Sequence, residues 1–270
     1  MPIVQSGDAR IHWEAQGSGT PVLLIMGHLY SSAMWYPLLP ALTRRHRAIT
    51  FDNRGTGDSD TTRTATIGQF ADDALAVLDA AGVQKAHVFG VSMGGGIAAE
   101  FAMRYPDRVT SLVLGCTRMK MVVEARPLAA QIMYRLPLGL VRTMLKGRMD
   151  PGAYGSAAPA DAVAKDMQIL IADRFTMTGV RVQGEAIANY TTTPEQVARL
   201  TMPTLVLHGD EDRAVDVKYG REFAAAIPGA RLTIFPGAGH NFLVAATEAS
   251  TKAVLDFFDE VDRAALGRTA

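Results

Sequence analysis

The sequence predicts an α/β protein: a mostly parallel, doubly wound sheet flanked by helices and interrupted by an inserted helical segment. Three observations predict it. Short apolar runs alternate with helix-length segments through the first half of the chain, the runs are largely apolar without in-and-out alternation, and the pattern stops after Thr117 to resume past Met202 and Pro203. Strands covered on both faces read as continuous apolar runs, and repeated strand-helix-strand units imply right-handed crossovers in one sheet.

Taken in order, Ile11 to Glu14 alternates in polarity and is followed by Gly17 and Gly19, a strand and a turn. Pro21 to Met26, Ala48 to Phe51, Ala86 to Phe89, Leu112 to Leu114 and Thr204 to Leu207 are the buried strands, and Ala230 to Phe235 is the last one. Between them, Trp35 to Leu42, Phe70 to Leu78 and Ile97 to Met103 carry apolar residues at spacings of three and four, with Asp72, Asp73 and Asp79 on the polar side of the second helix. Glu248 to Leu266 closes the chain as an amphipathic helix whose inner face holds Val254, Leu255, Phe258 and Val261.

From Arg118 to Leu200 the pattern is mostly helical, and seven of the thirteen methionines fall there: Met119, Met121, Met133, Met144, Met149, Met167 and Met177. Methionine fills irregular gaps and lines adaptable apolar walls, so these residues serve a small helical insertion or a substrate pocket within it. The domain reading is therefore a core of residues 1–117 and 201–270 with residues 118–200 inserted. This agrees with the length, since 270 residues is about 1.8 times a typical domain of roughly 150 residues.

Composition narrows the function classes. Lys and Arg number 27, and so do Asp and Glu, which leaves no long-range field for a phosphate backbone and argues against nucleic acid as a partner. The one cysteine, Cys116, forms no internal disulfide and reads as an unremarkable strand-end residue, and no zinc-cage spacing is present, so neither metal nor cofactor is expected. Ala15 to Thr43 has no Asp, Glu, Lys or Arg but is broken by glycine and proline, and the N-terminal residues lack signal-peptide features. A cytoplasmic protein acting on a small molecule is the expectation, with monomer and homodimer both open.

The chemistry begins at Gly90-Val91-Ser92-Met93-Gly94, directly after the Ala86 to Phe89 strand and before the Ile97 helix. A nucleophile must protrude from the carboxyl edge of the sheet. A sharp strand-to-helix turn does this by placing Ser92 in a strained conformation between small neighbours. Gly95 and Gly96 extend the run into the helix, and close helix-to-strand approach is the reason offered for them.

A serine hydroxyl needs a base, and the base an orienting acid. Of the six histidines, His87 and His208 lie inside strand runs, and His12 and His46 sit near strand starts. His240 follows Gly237-Ala238-Gly239 beyond the last strand, at the edge where chemistry collects. Asp210, Glu211 and Asp212 follow the Thr204 strand and supply three candidate acids, whereas no carboxylate follows Cys116 until Glu124.

In the order serine, acid, histidine, these three stretches resemble the α/β-hydrolase fold superfamily, and the likeness runs from about Gln16 to Phe258. The resemblance implies Asp212 as the acid, with Asp210 and Glu211 as turn and surface residues, and residues 118–200 as the lid. It also implies oxyanion donors in the main-chain N–H groups of His28 and Met93, although Met26 stands where this family usually has histidine. The His28 ring then either faces substrate or pins its own loop. Asp52 to Ser59 is similar to a family loop in which Asp52 and Arg54 tie segments together.

A serine at the elbow argues against the dehalogenase and epoxide hydrolase branches, which use aspartate. The expectation is a Ser92-His240-Asp212 hydrolase cleaving a carboxylic ester or lactone of a small to medium apolar substrate. Its alternatives are a C–C bond hydrolase on the same triad and, from another class, a ligand receptor that turns over slowly or not at all. Leu29 to Ser32 and Val91 depart from the C–C hydrolase pattern.

Overall fold

The structure, a computed structural model, describes residues 2–120 and 153–267. Met121, Met133, Met144 and Met149 of the insertion, and Glu124, lie outside the described residues. Eight strands form one sheet: β1 (Ile3–Ser6), β2 (Ala9–Gln16), β3 (Thr20–Ile25), β4 (His46–Phe51), β5 (Ala86–Val91), β6 (Val109–Gly115), β7 (Thr204–Gly209) and β8 (Arg231–Phe235). Their order is β1-β2-β4-β3-β5-β6-β7-β8. β1–β2 and β2–β4 pair antiparallel, and every other pair is parallel.

Alternation across β3 shows why its sequence is apolar from Pro21 to Ile25. Leu23 and Ile25 pack on one face with Phe70, Val77, Ile97 and Phe101, while Val22 and Leu24 pack on the other with Trp35, Leu38 and Phe258. Each such side chain, fully buried, contributes roughly 1.5–3 kcal/mol. The first face is covered by α2 (Ile67–Ala80) and α3 (Met93–Arg104), and the second by α1 (Leu39–Leu42) and the long C-terminal helix. A capping box starts α2: Gln69 N–H donates to Thr66 Oγ1 at 3.2 Å, and Thr66 N–H to Gln69 Oε1 at 2.9 Å.

Three local features differ from those the sequence predicts. The helix expected over Trp35 to Leu42 is a 3₁₀ turn at Ser32–Trp35 and the single-turn α1, because Pro37 and Pro40 remove the donors a continuous helix needs. Asp73, expected on the polar side of α2, is fully buried. Arg54 reaches it from outside the helix, with Nε and Nη2 donating to its carboxylate at 2.6 and 2.8 Å and Nη1 donating to Asp8 at 2.5 Å. His12, expected near a strand start and so away from the chemistry, lies on the carboxyl edge, since an antiparallel strand begins where its parallel neighbours end. Its Nδ1 is 3.0 Å from Asp52 Oδ2.

Between β6 and β7, the described part of the insertion contains α4 (Ala160–Ala172), α5 (Met177–Ala188) and α6 (Pro194–Val197). After β7 come α7 (Val217–Ala226), then β8, α8 (Phe242–Ala245) and α9 (Thr247–Leu266). Among the described residues, no helix is long and apolar enough to cross a membrane.

Buried histidines sit where α9 meets the sheet. His87 is fully buried and stacks on Phe258, with ring centroids 4.3 Å apart. Its Nδ1 lies 2.7 Å from Ser111 Oγ and its Nε2 3.0 Å from Asp262. Burial disfavours the imidazolium more than Asp262 favours it, lowering the pKa from 6.5 to about 4. The unfolded chain therefore takes up a proton that the folded one refuses, and stability is complete above pH 6.5 and falls as the pH drops toward 4. Urea midpoints over that window should decline by the equivalent of roughly 3 kcal/mol. His87→Gln should flatten that decline, and an unchanged slope would assign the acid sensitivity elsewhere.

Candidate active site

The chain builds β3 and β4 outward to one side of the sheet and β5 to β8 to the other, so the order reverses next to β3. Loops leaving the carboxyl ends on either side of such a reversal diverge and open a crevice. The loop after β3, with His28, and the turn after β5, with Ser92, both line a cavity of about 410 Å³ there.

Ser92 holds φ 55° and ψ −121° between β5 and α3. Its N–H donates to the Gly115 carbonyl at 2.8 Å. The elbow is tight: a Cβ on Gly94 would stand 2.1 Å from the Ile25 carbonyl oxygen, and one on Gly90 would stand 2.0 Å from that of Gly94. Only hydrogen at both positions lets α3 approach the sheet closely enough to push Ser92 out of it.

Ser92 Oγ lies 3.0 Å from His240 Nε2, and His240 Nδ1 lies 2.7 Å from Asp212 Oδ2. The carboxylate fixes the neutral ring as the Nδ1–H tautomer, which leaves Nε2 free to accept from the serine. Asp212 Oδ1 accepts from the N–H groups of Ala214 and Val215, both at 2.8 Å. Burial would raise the Asp212 pKa, but hydrogen bonds from His208, His240 and Val215 hold it well below the usual carboxylate range. Burial likewise disfavours a charged His240. Cys116 and Asp212 together outweigh that effect and raise its pKa well above 6.5.

His208, which reads as a core or sheet-end residue, is fully buried near the end of β7, directly behind the acid. Its Nε2 lies 2.7 Å from the Val215 carbonyl and 3.2 Å from Asp212 Oδ2. The signal available in the sequence is its spacing four residues before Asp212. Cys116, which reads as an unremarkable strand-end residue, holds φ 41° and lines the cavity, and its sulfur lies within 4.8 Å of the nearby Asp212 oxygen and His240 nitrogen. Among the described residues this trio has metal-ligand chemistry, although its histidine and aspartate already bond each other.

The acid and base loops are fastened by residues 153–157 of the insertion. Gly239 N–H donates to the Tyr154 carbonyl at 2.8 Å, Asn241 N–H to Ala153 at 2.7 Å, and Ala157 N–H to Gly237 at 2.8 Å. Asp210 accepts from Gly237 N–H, and Glu211 from Ser156 N–H and Oγ–H, all at 2.7 Å. Both carboxylates thus tie loops together, which is the turn and surface role expected of them.

Across the cavity, His28 Nε2 lies 3.0 Å from the Val180 carbonyl, so the ring joins its own loop to α5. The next residue, Leu29, holds φ 80° and donates its N–H to Gln183 Oε1 at 2.9 Å. A positive φ at leucine costs about 1–3 kcal/mol and persists only where the surroundings impose it. Gln183 does so, its Nε2 donating to the Arg54 carbonyl at 2.8 Å. Nothing in the sequence marks Gln183, because a glutamine on a helix carries no pattern of its own.

A family model for the alpha/beta hydrolase fold matches residues 20–246. The chain belongs to this family. It is similar to a putative carbamate hydrolase, RutD, of Azorhizobium caulinodans, with 30% identity over 97% of this chain and 100% of that protein. Among solved structures it resembles a thermophilic esterase from Thermogutta terrifontis, with a TM-score of 0.85 and 26% identity over 96% of this chain and 98% of that one. An enol-lactonase from Burkholderia xenovorans shares the fold, with a TM-score of 0.82 and 24% identity over 96% and 100% of the two chains. This α/β-hydrolase therefore has hydrolases among its relatives, and the serine, histidine and aspartate described above stand within the matched region.

Proposed function

We propose that this α/β-hydrolase is a serine hydrolase of carboxylic esters or lactones, with Ser92 as nucleophile, His240 as base and then acid, and Asp212 as the orienting carboxylate. The observation that carries this reading is the unbroken hydrogen-bond chain from Ser92 Oγ through His240 to Asp212. His240 takes the Ser92 proton as Oγ attacks the carbonyl. The N–H groups of His28 and Met93 receive the developing oxyanion, each such donor contributing about 3 kcal/mol to the transition state. His240 then protonates the leaving alcohol, and water repeats the sequence on the acyl-enzyme.

In this reading residues 118–200 act as a lid over a small to medium apolar substrate. Apolar walls such as Met26, Met34, Leu243 and Val244 support that size and polarity. The kinship with a putative carbamate hydrolase supports a second reading, in which the same attack falls on a carbamate carbonyl and His240 protonates the departing nitrogen.

A short p-nitrophenyl ester should give a burst of nitrophenol equal to the enzyme concentration, and a fluorophosphonate should label Ser92. A parallel screen of esters, lactones, carbamates and vinylogous diketones separates C–O, C–N and C–C cleavage. Absence of both burst and label would favour a receptor that binds without turnover.

A further inference from the structure

The proposed reaction leaves one buried carboxyl of the cavity wall unused. Asp166, on α4, has no solvent exposure and lines the same cavity as Ser92 and His240. Its Oδ2 accepts from Tyr154 Oη at 2.8 Å and lies 3.5 Å from Asn241 Nδ2. Among the described residues no donor meets its Oδ1 with hydrogen-bond geometry, the Tyr36 hydroxyl acting on the carboxyl only beyond that. Burial raises its pKa and the hydroxyls of Tyr154 and Tyr36 lower it, with no cation contributing. Arg118, which also lines the cavity, sits over the Tyr219 ring instead.

The same molecule shows how a purely structural buried carboxylate is treated. Asp73 is as deeply buried, and both of its oxygens receive Arg54. Leaving a buried carboxyl oxygen without a donor costs free energy that a ligand can return. Asp166 differs from Asp73 in lying on the wall of a cavity, where an incoming molecule can supply the missing donor.

We infer that Asp166 forms a specificity subsite for a substrate carrying an N–H donor, as an ammonium or a primary amide, away from the carbonyl that Ser92 attacks. This rests on the serine-hydrolase reading, which places the substrate in this cavity. Oδ1 accepts from the substrate nitrogen while Oδ2 stays anchored by Tyr154, so the carboxyl is already oriented before substrate arrives.

Two matched pairs of p-nitrophenyl esters test it. The β-alanine and butyrate esters exchange ammonium for methyl, and the succinamate and levulinate esters exchange amide NH₂ for methyl. The donor-bearing member of at least one pair should show a KM lower by roughly ten- to a hundredfold, the range of a hydrogen bond to a charged group. Asp166→Asn should collapse that ratio, because the Tyr154 hydroxyl holds the amide oxygen and turns the NH₂ toward the cavity. Tyr154→Phe, which removes the anchor but keeps Oδ1, should retain a preference, and a thermal melt of each variant reports folding.

Equal KM values within both pairs for the wild-type enzyme would overturn the subsite while leaving hydrolysis at Ser92 standing. A ratio lost equally in Tyr154→Phe would reduce Asp166 to a structural role. Failure of butyrate turnover together with absent fluorophosphonate labelling would overturn the hydrolase reading and the subsite with it.

Discussion

Ser92→Ala is expected to lower kcat on any turned-over ester by at least about ten-thousand-fold, since removing the nucleophile of a serine triad leaves only oxyanion stabilisation and binding. The fold should survive it. Ser92 donates its backbone N–H to Gly115, an interaction alanine keeps, and its side chain touches His240 rather than the core. Matching thermal melts beside lost turnover would separate chemistry from folding. Full turnover by Ser92→Ala would remove the proposed mechanism altogether.

The second large effect is at the acid. Asp212→Asn should cost about ten-thousand-fold in kcat, because an amide at that position favours the wrong tautomer of the imidazole. It should also move the acid limb of kcat/KM. The wild-type His240 pKa lies well above 6.5, against burial and in favour of Cys116 and Asp212. Removing the carboxylate withdraws support from the imidazolium, so the limb shifts to lower pH even as the maximum falls. Asp210→Asn should do neither, since among the described residues the Asp210 carboxylate accepts from the Gly237 N–H and not from His240. If Asp210→Asn produced the larger loss and the shift, the acid would be Asp210.

His208 bears on the size of that second effect. It lies 3.2 Å from the Asp212 oxygen that also meets His240, so an asparagine there must accommodate two imidazoles instead of one. The N–H groups of Ala214 and Val215, which meet Oδ1, can hold the amide oxygen of Asp212→Asn there and leave its NH₂ in the place of Oδ2, beside His240. That orientation places two donors nose to nose at Nδ1, which is the physical origin of the tautomer penalty in this particular site.

Much of this architecture was legible from residue order because its signals are local. A parallel strand covered on both sides must be apolar at consecutive positions, and β3, β5 and β7 read that way. An elbow needs glycine two residues before and two after its serine, and Gly90 and Gly94 stand there. β1 was missed because Ile3–Ser6 is a short edge strand, mostly exposed, without the alternation that marks a buried face. Asp73 was misplaced because helical spacing shows which side of α2 a residue occupies but not whether an arginine from another loop waits on that side.

By itself, then, the sequence determined the sheet-and-helix order, the elbow, and Ser92, Asp212 and His240 as candidates, since period, glycine spacing and strand-end position are properties of neighbours in the chain. Tertiary structure alone decided that His208 backs the acid, that Cys116 stands beside His240, that Gln183 holds the strained Leu29, and that Asp166 is a buried carboxyl in the cavity wall. The reason is that the energy of a buried polar group depends on what meets it. Gln183 and Leu29 are 154 residues apart, and no local pattern encodes a partner at that distance.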